Sequence, residues 1–185
     1  MVSLTTPICD FGWQAREFDL PGTDGMRHTL ASARGPNGLL VMFICNHCPY
    51  VKAVLDRIIR DCRELKNHGI GAIAIMSNDA TEYPEDSWDN MVAIARRMDF
   101  PFPYVLDETQ AVAKAYGAVC TPDFFGFNAQ LELQYRGRLD ASRKESVATA
   151  RRDLFEAMLQ VAQTGEGPRE QIPSMGCSIE WKEGA

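Results

Sequence analysis

LLVMFICNHCPY, residues 39–50, joins a continuous apolar run to two cysteines and a proline, and this stretch decides the fold. An uninterrupted apolar run such as residues 39–44 is typical of a strand buried on both faces. In residues 49–68, apolar side chains recur at offsets 0, 3, 4, 7, 8, 11 and 14, which predicts one buried helical face, and Pro49 suits the first turn. A second apolar run, residues 70–76, completes a predicted βαβ unit whose strands are parallel.

The segments around this unit predict further helices and strands. Pro84 and the acids after it open a helix over residues 84–98, and Ser142 with Glu145 forms a capping box for a last helix over residues 144–163. The other patterns predict a hairpin within 18–34, a strand over 104–106, a helix over 108–116 with Asp107 as N-cap, and a hairpin over 124–128 and 131–136. This order predicts an α/β fold in which helices flank a central mixed β-sheet.

The length and composition are typical of one globular domain, since 45 % of the 185 residues are hydrophobic and 24 % are charged. We expect a single domain over residues 1–185, with an N-terminal hairpin extension at 11–36, a core at 37–164 and an irregular tail at 165–185. The net charge of −6 disfavours nucleic acids and anionic membranes as partners. Because the chain shows neither a membrane-length apolar run nor a signal-peptide pattern, we expect a cytoplasmic protein.

Cys45 and Cys48 lie where the first predicted strand passes into the first helix. Unpaired N–H groups and the dipole at a helix N-terminus favour an anion, so we expect a lowered pKa for the Cys45 thiol. The i, i+3 spacing puts both sulfurs within disulfide reach, which makes Cys45 the expected nucleophile and Cys48 the resolving thiol. A partly protonated His47 would stabilise the thiolate further. Because such a dithiol carries two electrons, no organic cofactor is expected.

A metal site is the competing interpretation of these cysteines. The spacing superficially matches a zinc-ligand string made of Cys45, Cys48, Cys62 and His68. Helical geometry excludes that set, because Cys48 and Cys62 are 14 residues apart, or about 21 Å at about 1.5 Å per residue. Cys62 lies on the apolar helical face, so we expect a buried structural thiol. Binding of copper or zinc by Cys45, Cys48 and either Cys120 or His47 stays open as an alternative.

Two features together resemble the thioredoxin superfamily: Cys45-Asn-His-Cys48 after a core strand, and Thr121-Pro122 before the later hairpin. The resemblance implies a cis Thr121–Pro122 bond opposite the two cysteines, with the Thr121 backbone exposed to an incoming substrate. The chain resembles most closely the peroxiredoxin-like branch, also called the alkyl hydroperoxide reductase/thiol-specific antioxidant or redoxin branch. The resemblance spans about residues 11–182 and rests on the hairpin extension, the insertion at 78–98, and the segments FICNHCPYV, VCTPDFF, YRGRLD and GCSIEW.

This resemblance implies a thiol–disulfide oxidoreductase that acts on protein or small-molecule thiols and disulfides and is reduced by another thiol protein. The alternative is an antioxidant thiol peroxidase that reduces hydroperoxides with Cys45 as the peroxidatic residue. Typical peroxiredoxins carry Pro-x-x-x-Thr-x-x-Cys, and here Gly38 and Met42 occupy the Pro and Thr positions. This departure favours exchange over peroxide reduction. Arg136 or Arg138 could stand in for the arginine that polarises peroxide in that branch.

Two further cysteines are candidate auxiliary thiols. Cys120 lies two residues before Pro122, and it is either a third redox or metal-binding thiol or a small buried thiol. Cys177 lies in the predicted irregular tail, where it could act as a late resolving thiol, pair with Cys120 or Cys9, or be inert. Connectivity cannot be read from spacing, and nothing in the sequence fixes the oligomeric state.

Overall fold

The computed structural model describes all 185 residues, from Met1 to Ala185. The strands are β1 (Ser3–Thr5), β2 (Asp19–Pro21), β3 (Arg27–Thr29), β4 (Gly38–Phe43), β5 (Ile70–Met76), β6 (Tyr104–Leu106), β7 (Cys120–Thr121), β8 (Asp123–Asn128), β9 (Leu133–Tyr135) and β10 (Met175–Ser178). The helices are α1 (Leu30–Ala33), α2 (Pro49–Lys52), α3 (Leu55–Lys66), α4 (Trp88–Arg97), α5 (Ala111–Tyr116) and α6 (Asp153–Thr164), with a 3-10 turn at Pro84–Asp86. None of the helices is both long and apolar enough to cross a membrane.

The central sheet is mixed, as the sequence predicts. Strand β4 pairs antiparallel with β8, and β8 pairs antiparallel with β9, whereas β5 pairs parallel with β6. A hydrogen bond from Ile44 N–H to the Ile75 carbonyl joins the end of β4 to β5. The predicted strands at 39–44, 70–76 and 104–106 and the later hairpin are therefore confirmed. Strands β2 and β3 form the predicted N-terminal hairpin.

Strand β4 divides the core into two layers because its side chains alternate between the faces of the sheet. Leu40, Met42 and Ile44 join a cluster that includes α3 and α6, whereas Leu39, Val41 and Phe43 join the cluster on the opposite face. All six residues of β4 are buried. Cys45 and Cys48 follow in the first of these clusters, so the candidate site begins inside the core.

The predicted continuous helix at 49–68 is wrong in one respect, because it is interrupted between α2 and α3. Val54 has φ −127° and ψ 4°, outside the α-helical region, and α3 begins at the next residue. The apolar spacing nevertheless stays in register, since Val51, Val54 and Leu55 are all buried. Burial was therefore predictable from the spacing, whereas the break in the helix was not. Pro49 occupies the first turn of α2, as expected.

The last helix begins later than predicted, at Asp153 rather than at residue 144. The expected capping box does not form, because Ser142 Oγ accepts from Val147 N–H at 2.9 Å and lies 3.0 Å from the Arg57 guanidinium. Residues 144–152 are exposed or partly exposed, so no packed face supports a helix there. Helix α6 instead has acids in its first turn, Asp153 and Glu156, where they complement the helix dipole.

Two other helix starts also differ from the predictions. The segment predicted as a helix from Pro84 begins with the 3-10 turn, and α4 follows with Ser87 as its N-cap, accepting from Asn90 N–H. Helix α5 begins at Ala111 rather than at residue 108. Asp107 is therefore not the N-cap by position, but its carboxylate accepts from Ala113 N–H at 2.9 Å and so satisfies a free amide of the first turn.

The C-terminal tail is not irregular throughout, which corrects the prediction for residues 165–185. Strand β10 lies between β1 and β7 in a small antiparallel sheet, and its register pairs Cys177 with Ser3 on one side and Thr121 on the other. Ser178 N–H donates to the Val2 carbonyl at 2.7 Å and Ile179 N–H to the Val119 carbonyl at 3.2 Å. Both chain ends therefore lie against the segment that contains Thr121.

Candidate active site

The register of the central sheet brings Cys45 to Thr121 and Pro122. Phe43, the last residue of β4, pairs with Asp123, the first residue of β8, so the residues just beyond the two strand ends face each other. The Thr121–Pro122 peptide bond is cis, which confirms the expectation from the family resemblance. Cys45 Sγ lies 3.4 Å from Thr121 Oγ1, and both side chains are buried.

Cys48 lies at the centre of a group of three thiols. It is the N-cap of α2 rather than a residue of the first helical turn, and Cys45 precedes it by three residues. Its Sγ lies 3.0 Å from Cys177 Sγ and 3.2 Å from the Thr121 carbonyl oxygen, and the neighbouring Cys45 thiol lowers the pKa of Cys48. All three cysteines are reduced and buried. We call Cys45, Cys48 and Cys177 the thiol cluster.

Hydrogen bonds within the cluster favour the thiolate at Cys48, so the direction of the pKa shifts is opposite to the predicted lowering at Cys45. The hydrogen bond from Cys45, together with those from Cys177 and Thr121, lowers the Cys48 pKa from 9.0 to about 5 against the opposing effect of burial. Burial raises the pKa of Cys45 well above its usual value, and the contact with Cys48 and the charge of Asp86 add to this. Burial and the neighbouring Cys48 also raise the Cys177 pKa to about 12.

The contacts of His47 are with Asp86, Tyr83 and Met1, and the stabilisation of a thiolate by His47 stays a prediction. Its Nδ1 is hydrogen-bonded to the buried Asp86 carboxylate, and its ring stacks on Tyr83 with a centroid distance of 4.2 Å and an angle of 5°. Its Nε2 lies 2.9 Å from Met1 Sδ. Neither ring nitrogen is hydrogen-bonded to a cysteine sulfur, although one of them lies within 4.8 Å of Cys45 Sγ.

Asp86 is a site residue that the sequence reasoning missed. One carboxylate oxygen accepts from Asn46 N–H at 2.7 Å and from His47 N–H at 3.1 Å, and the other accepts from Asn78 Nδ2 at 3.3 Å as well as contacting the imidazole. Asp86 thus fixes the loop between the two cysteines. The sequence offered only a weak signal, since Asp86 is one of several acids after Pro84.

Cys45, His47 and Asp86 also form the group whose arrangement comes nearest to a metal site, with ligand atoms that all lie within 4.8 Å of one another. The hydrogen bonds already described use both Asp86 oxygens, one of them on the imidazole Nδ1 itself. A metal bound by all three residues would have to displace that hydrogen bond. The contacts therefore favour a positioning role for the carboxylate and imidazole.

The other three cysteines lie outside the thiol cluster. Cys120 is fully buried, and its Sγ contacts the Pro122 carbonyl oxygen at 3.7 Å rather than another sulfur. Cys62 is buried on α3 and lies 4.0 Å from Met42 Sδ, which confirms the predicted buried structural thiol. Burial raises the pKa of both thiols. Cys9 is half-buried, and burial raises its pKa to about 11.

The two candidate arginines have different surroundings. Arg136 is buried and paired with Asp123, with a Nη2–Oδ2 distance of 2.9 Å, and it also donates to the Gly117 carbonyl at 3.0 Å. Its guanidinium carbon lies 4.3 Å from the centroid of the Phe125 ring. These contacts make Arg136 part of a structural ion pair. Arg138 pairs with Asp153 at 2.7 Å and lines a cavity beside Pro122.

This cavity, of about 210 Å³, lies next to the cis-proline. Strands β1 and β10 contribute Thr5 and Met175 to its wall, and α2 contributes Tyr50. Ser3 Oγ and Tyr50 Oη are 3.0 Å apart, so the N-terminal strand is tied to the first helix of the site. Pro122 lines this cavity, whereas none of the three cysteines of the thiol cluster does.

Comparisons with known proteins agree with this architecture. The sequence profile of the AhpC/TSA family matches residues 11–139. A crystal structure of an uncharacterized conserved protein from Geobacillus kaustophilus is 41 % identical, with a TM-score of 0.93 over 100 % of this chain and 99 % of that one. A hypothetical protein from Sinorhizobium meliloti 1021 is 35 % identical, with a TM-score of 0.91 over 97 % and 98 % of the two chains.

More distant structures share the fold alone. The peroxidoxin BcpB from Mycobacterium tuberculosis is 14 % identical, with a TM-score of 0.60 over 83 % of this chain and 96 % of that one. No curated protein sequence matches the chain. These matches show the fold, so the reaction of this chain has to be argued from its site.

Proposed function

The chain belongs to the AhpC/TSA family, in the redoxin branch of the thioredoxin superfamily, and from this we propose that it is a thiol–disulfide oxidoreductase. The family supports thiol-based oxidoreductase or peroxidase chemistry in general. The observation that carries the choice of exchange is the contact between the Cys45 thiol and Cys48, whose pKa is about 5. A thiol beside a thiolate is the reduced form that a two-cysteine exchanger requires.

The proposed reaction begins with Cys45 as the nucleophile. As Cys45 Sγ attacks one sulfur of a substrate disulfide, its proton passes to the Cys48 thiolate, and the other substrate sulfur leaves as a thiolate. That leaving group then takes the proton from Cys48. The restored Cys48 thiolate attacks Cys45 Sγ, releases the second substrate sulfur as a thiolate and leaves a Cys45–Cys48 disulfide. Two electrons pass from the protein to the substrate, and a thiol protein returns them by the reverse exchange.

The surroundings of Cys45 and Cys48 support this division of roles. Cys48 Sγ lies 3.0 Å from Cys177 Sγ, which suits a group that reacts within the protein, whereas burial does not separate the two roles because Cys45 and Cys48 are both buried. Cys45 lies beside the hydroxyl of Thr121 and directly precedes the partly exposed Asn46. We propose that the substrate lies along Thr121–Pro122 and the adjoining cavity, with Arg138 at its wall. The substrates are protein or small-molecule thiols and disulfides, and the proposed location is the cytoplasm.

Peroxide reduction has less support from the same site. Gly38 and Met42, which replace the Pro and Thr of the peroxiredoxin pattern, both lie within β4, and Met42 is fully buried. Position 42 therefore supplies no hydroxyl to a peroxide at Cys45. The proposal needs neither an organic cofactor nor a metal, because the dithiol itself carries the electrons.

Trapping of mixed disulfides tests the proposed function. In a Cys48→Ser variant exposed to an aromatic model disulfide, we expect a stable mixed disulfide at Cys45, identified by peptide mass. The Cys62→Ala variant is the matched control, because it removes a buried thiol outside the cluster and should turn over like the wild type. Trapping in Cys45→Ser but not in Cys48→Ser would reverse the two roles. Oxidation of Cys45 by peroxide much faster than free cysteine, without exchange, would favour the peroxidase instead.

A further inference from the structure

Cys177 lies in a position that the exchange reaction does not use. Its Sγ is 3.0 Å from Cys48 Sγ, so the two sulfurs need to approach by only about 1 Å to reach the S–S bond length of about 2.05 Å. Cys48 is therefore a shared neighbour that can pair with Cys45 on one side and with Cys177 on the other. The exchange mechanism explains the first contact and gives no reason for the second.

The backbone around Cys177 fixes this contact. Cys177 lies in the middle of the small antiparallel sheet, paired with Ser3 and with Thr121. Gly176 makes a close approach of β10 to β7 possible, because a Cβ at this position would lie 2.1 Å from the Thr121 carbonyl oxygen. The neighbouring Ser174 hydroxyl donates to the Pro122 carbonyl at 2.9 Å. Cys177 is thus held against the same two residues that face Cys45.

We propose that Cys177 is a third redox-active residue. After Cys45 and Cys48 have formed a disulfide, Cys177 replaces Cys45 as the disulfide partner of Cys48. This step rests on the proposed function, which generates that pair. Cys177 Sγ attacks Cys48 Sγ, the Cys45–Cys48 bond breaks, and the proton of Cys177 passes to the departing Cys45 thiolate. The products are a Cys48–Cys177 disulfide and a free Cys45 thiol. The step is an isomerisation, so it needs no further oxidant or reductant.

The charges within the cluster fit this order of events. In the reduced protein the Cys48 thiolate is one of the causes of the raised Cys177 pKa, together with burial. Once Cys48 is in a disulfide that negative charge is gone, so Cys177 becomes easier to deprotonate, and Lys144 favours the anion. As a result, the nucleophile Cys45 returns to its thiol form. The oxidised state is then held in the Cys48–Cys177 disulfide, whose second cysteine lies on β10.

Disulfide mapping of the full chain tests this proposal. The reduced protein is oxidised with glutathione disulfide, quenched at intervals with acid and an alkylating reagent, and mapped by peptide mass. In the wild type we expect Cys45–Cys48 to appear first and then to decline as Cys48–Cys177 accumulates. In Cys177→Ser the first disulfide should persist, whereas Cys45→Ser should form Cys48–Cys177 directly. Cys62→Ala is the control for removal of a buried thiol.

A second variant tests the role of the strand without removing any thiol. Gly176→Ala should displace β10 from Thr121 and cause loss of the Cys48–Cys177 disulfide, while Cys45–Cys48 still forms. Absence of the Cys48–Cys177 disulfide from both the wild type and Cys45→Ser would refute the proposed role of Cys177. The proposed thiol–disulfide exchange by Cys45 and Cys48 would be unaffected. Absence of any Cys45 disulfide, with Cys48–Cys177 formed in both proteins, would instead refute the proposed function and with it the transfer from Cys45.

Discussion

The low pKa of Cys48 predicts a pH-dependent contribution to the stability of the reduced protein. A thiol with pKa 9.0 when unfolded and about 5 when folded binds fewer protons in the folded state at all pH values between the two. Its stabilisation is therefore complete above the unfolded pKa and is lost as the pH falls through the folded one. At pH 7, about two pH units above the folded pKa, this stabilisation is roughly 3 kcal/mol, and at pH 5 it is below about 1 kcal/mol.

Urea unfolding of the reduced wild type and of Cys48→Ser, at pH 5, 6 and 7, measures this contribution. The stability difference between the two proteins should grow by about 2 kcal/mol from pH 5 to pH 7, because every other titrating group is present in both. The ultraviolet absorbance of thiolates should likewise show one thiolate at pH 7 in the wild type and none in the variant. A stability difference independent of pH, or a thiolate that persists in Cys48→Ser, would refute the assignment to Cys48.

Three further predictions follow from neighbouring contacts. Because the thiolate stabilises the reduced form, the midpoint potential of the thiol cluster should lie above the potential of thioredoxin, which is about −270 mV. A redox titration with glutathione measures this potential, and a value below that of thioredoxin would contradict the prediction. The Asp86→Asn variant removes a negative charge that raises the Cys45 pKa, so the pH at which Cys45 is half-alkylated should fall. An unchanged midpoint would show that the charge of Asp86 does not raise the Cys45 pKa. The Arg136→Ala variant leaves the buried Asp123 carboxylate unpaired, so the free energy of unfolding in urea should fall by about 3–5 kcal/mol. A decrease below about 1 kcal/mol would show that this ion pair does not stabilise the fold.

Sequence patterns predicted the fold because burial and periodicity are local signals. The apolar run before Cys45 had to be a buried strand, and the later Thr-Pro step could be located from the family resemblance. The helix at 144–163 was misplaced because a good capping pattern at Ser142 and Glu145 does not form a helix without a packed apolar face. Local rules therefore predicted which elements exist better than where each one begins.

The composition of the site was harder to predict because its members come from distant segments. Asp86 and Cys177 reach Cys45 and Cys48 only through tertiary structure, and the local patterns predict a helix at Asp86 and an irregular tail at Cys177. The reversed pKa order has the same origin. A helix N-terminus predicted the anion at Cys45, but hydrogen bonds from Cys45 and Cys177 stabilise it at Cys48.

The small sheet of β1, β10 and β7 has a consequence for access to these buried thiols. Its pairing joins residues such as Val2 and Ser178, which are 176 positions apart in the sequence, so no local turn holds the paired strands together. Strand β1 is exposed along its length, so its detachment uncovers little apolar surface. We therefore expect amide hydrogens of β1 and β10 to exchange with solvent through local openings far more often than those of β4. Such partial unfolding at the chain ends would give a substrate a route to Cys45 while the central sheet stays folded.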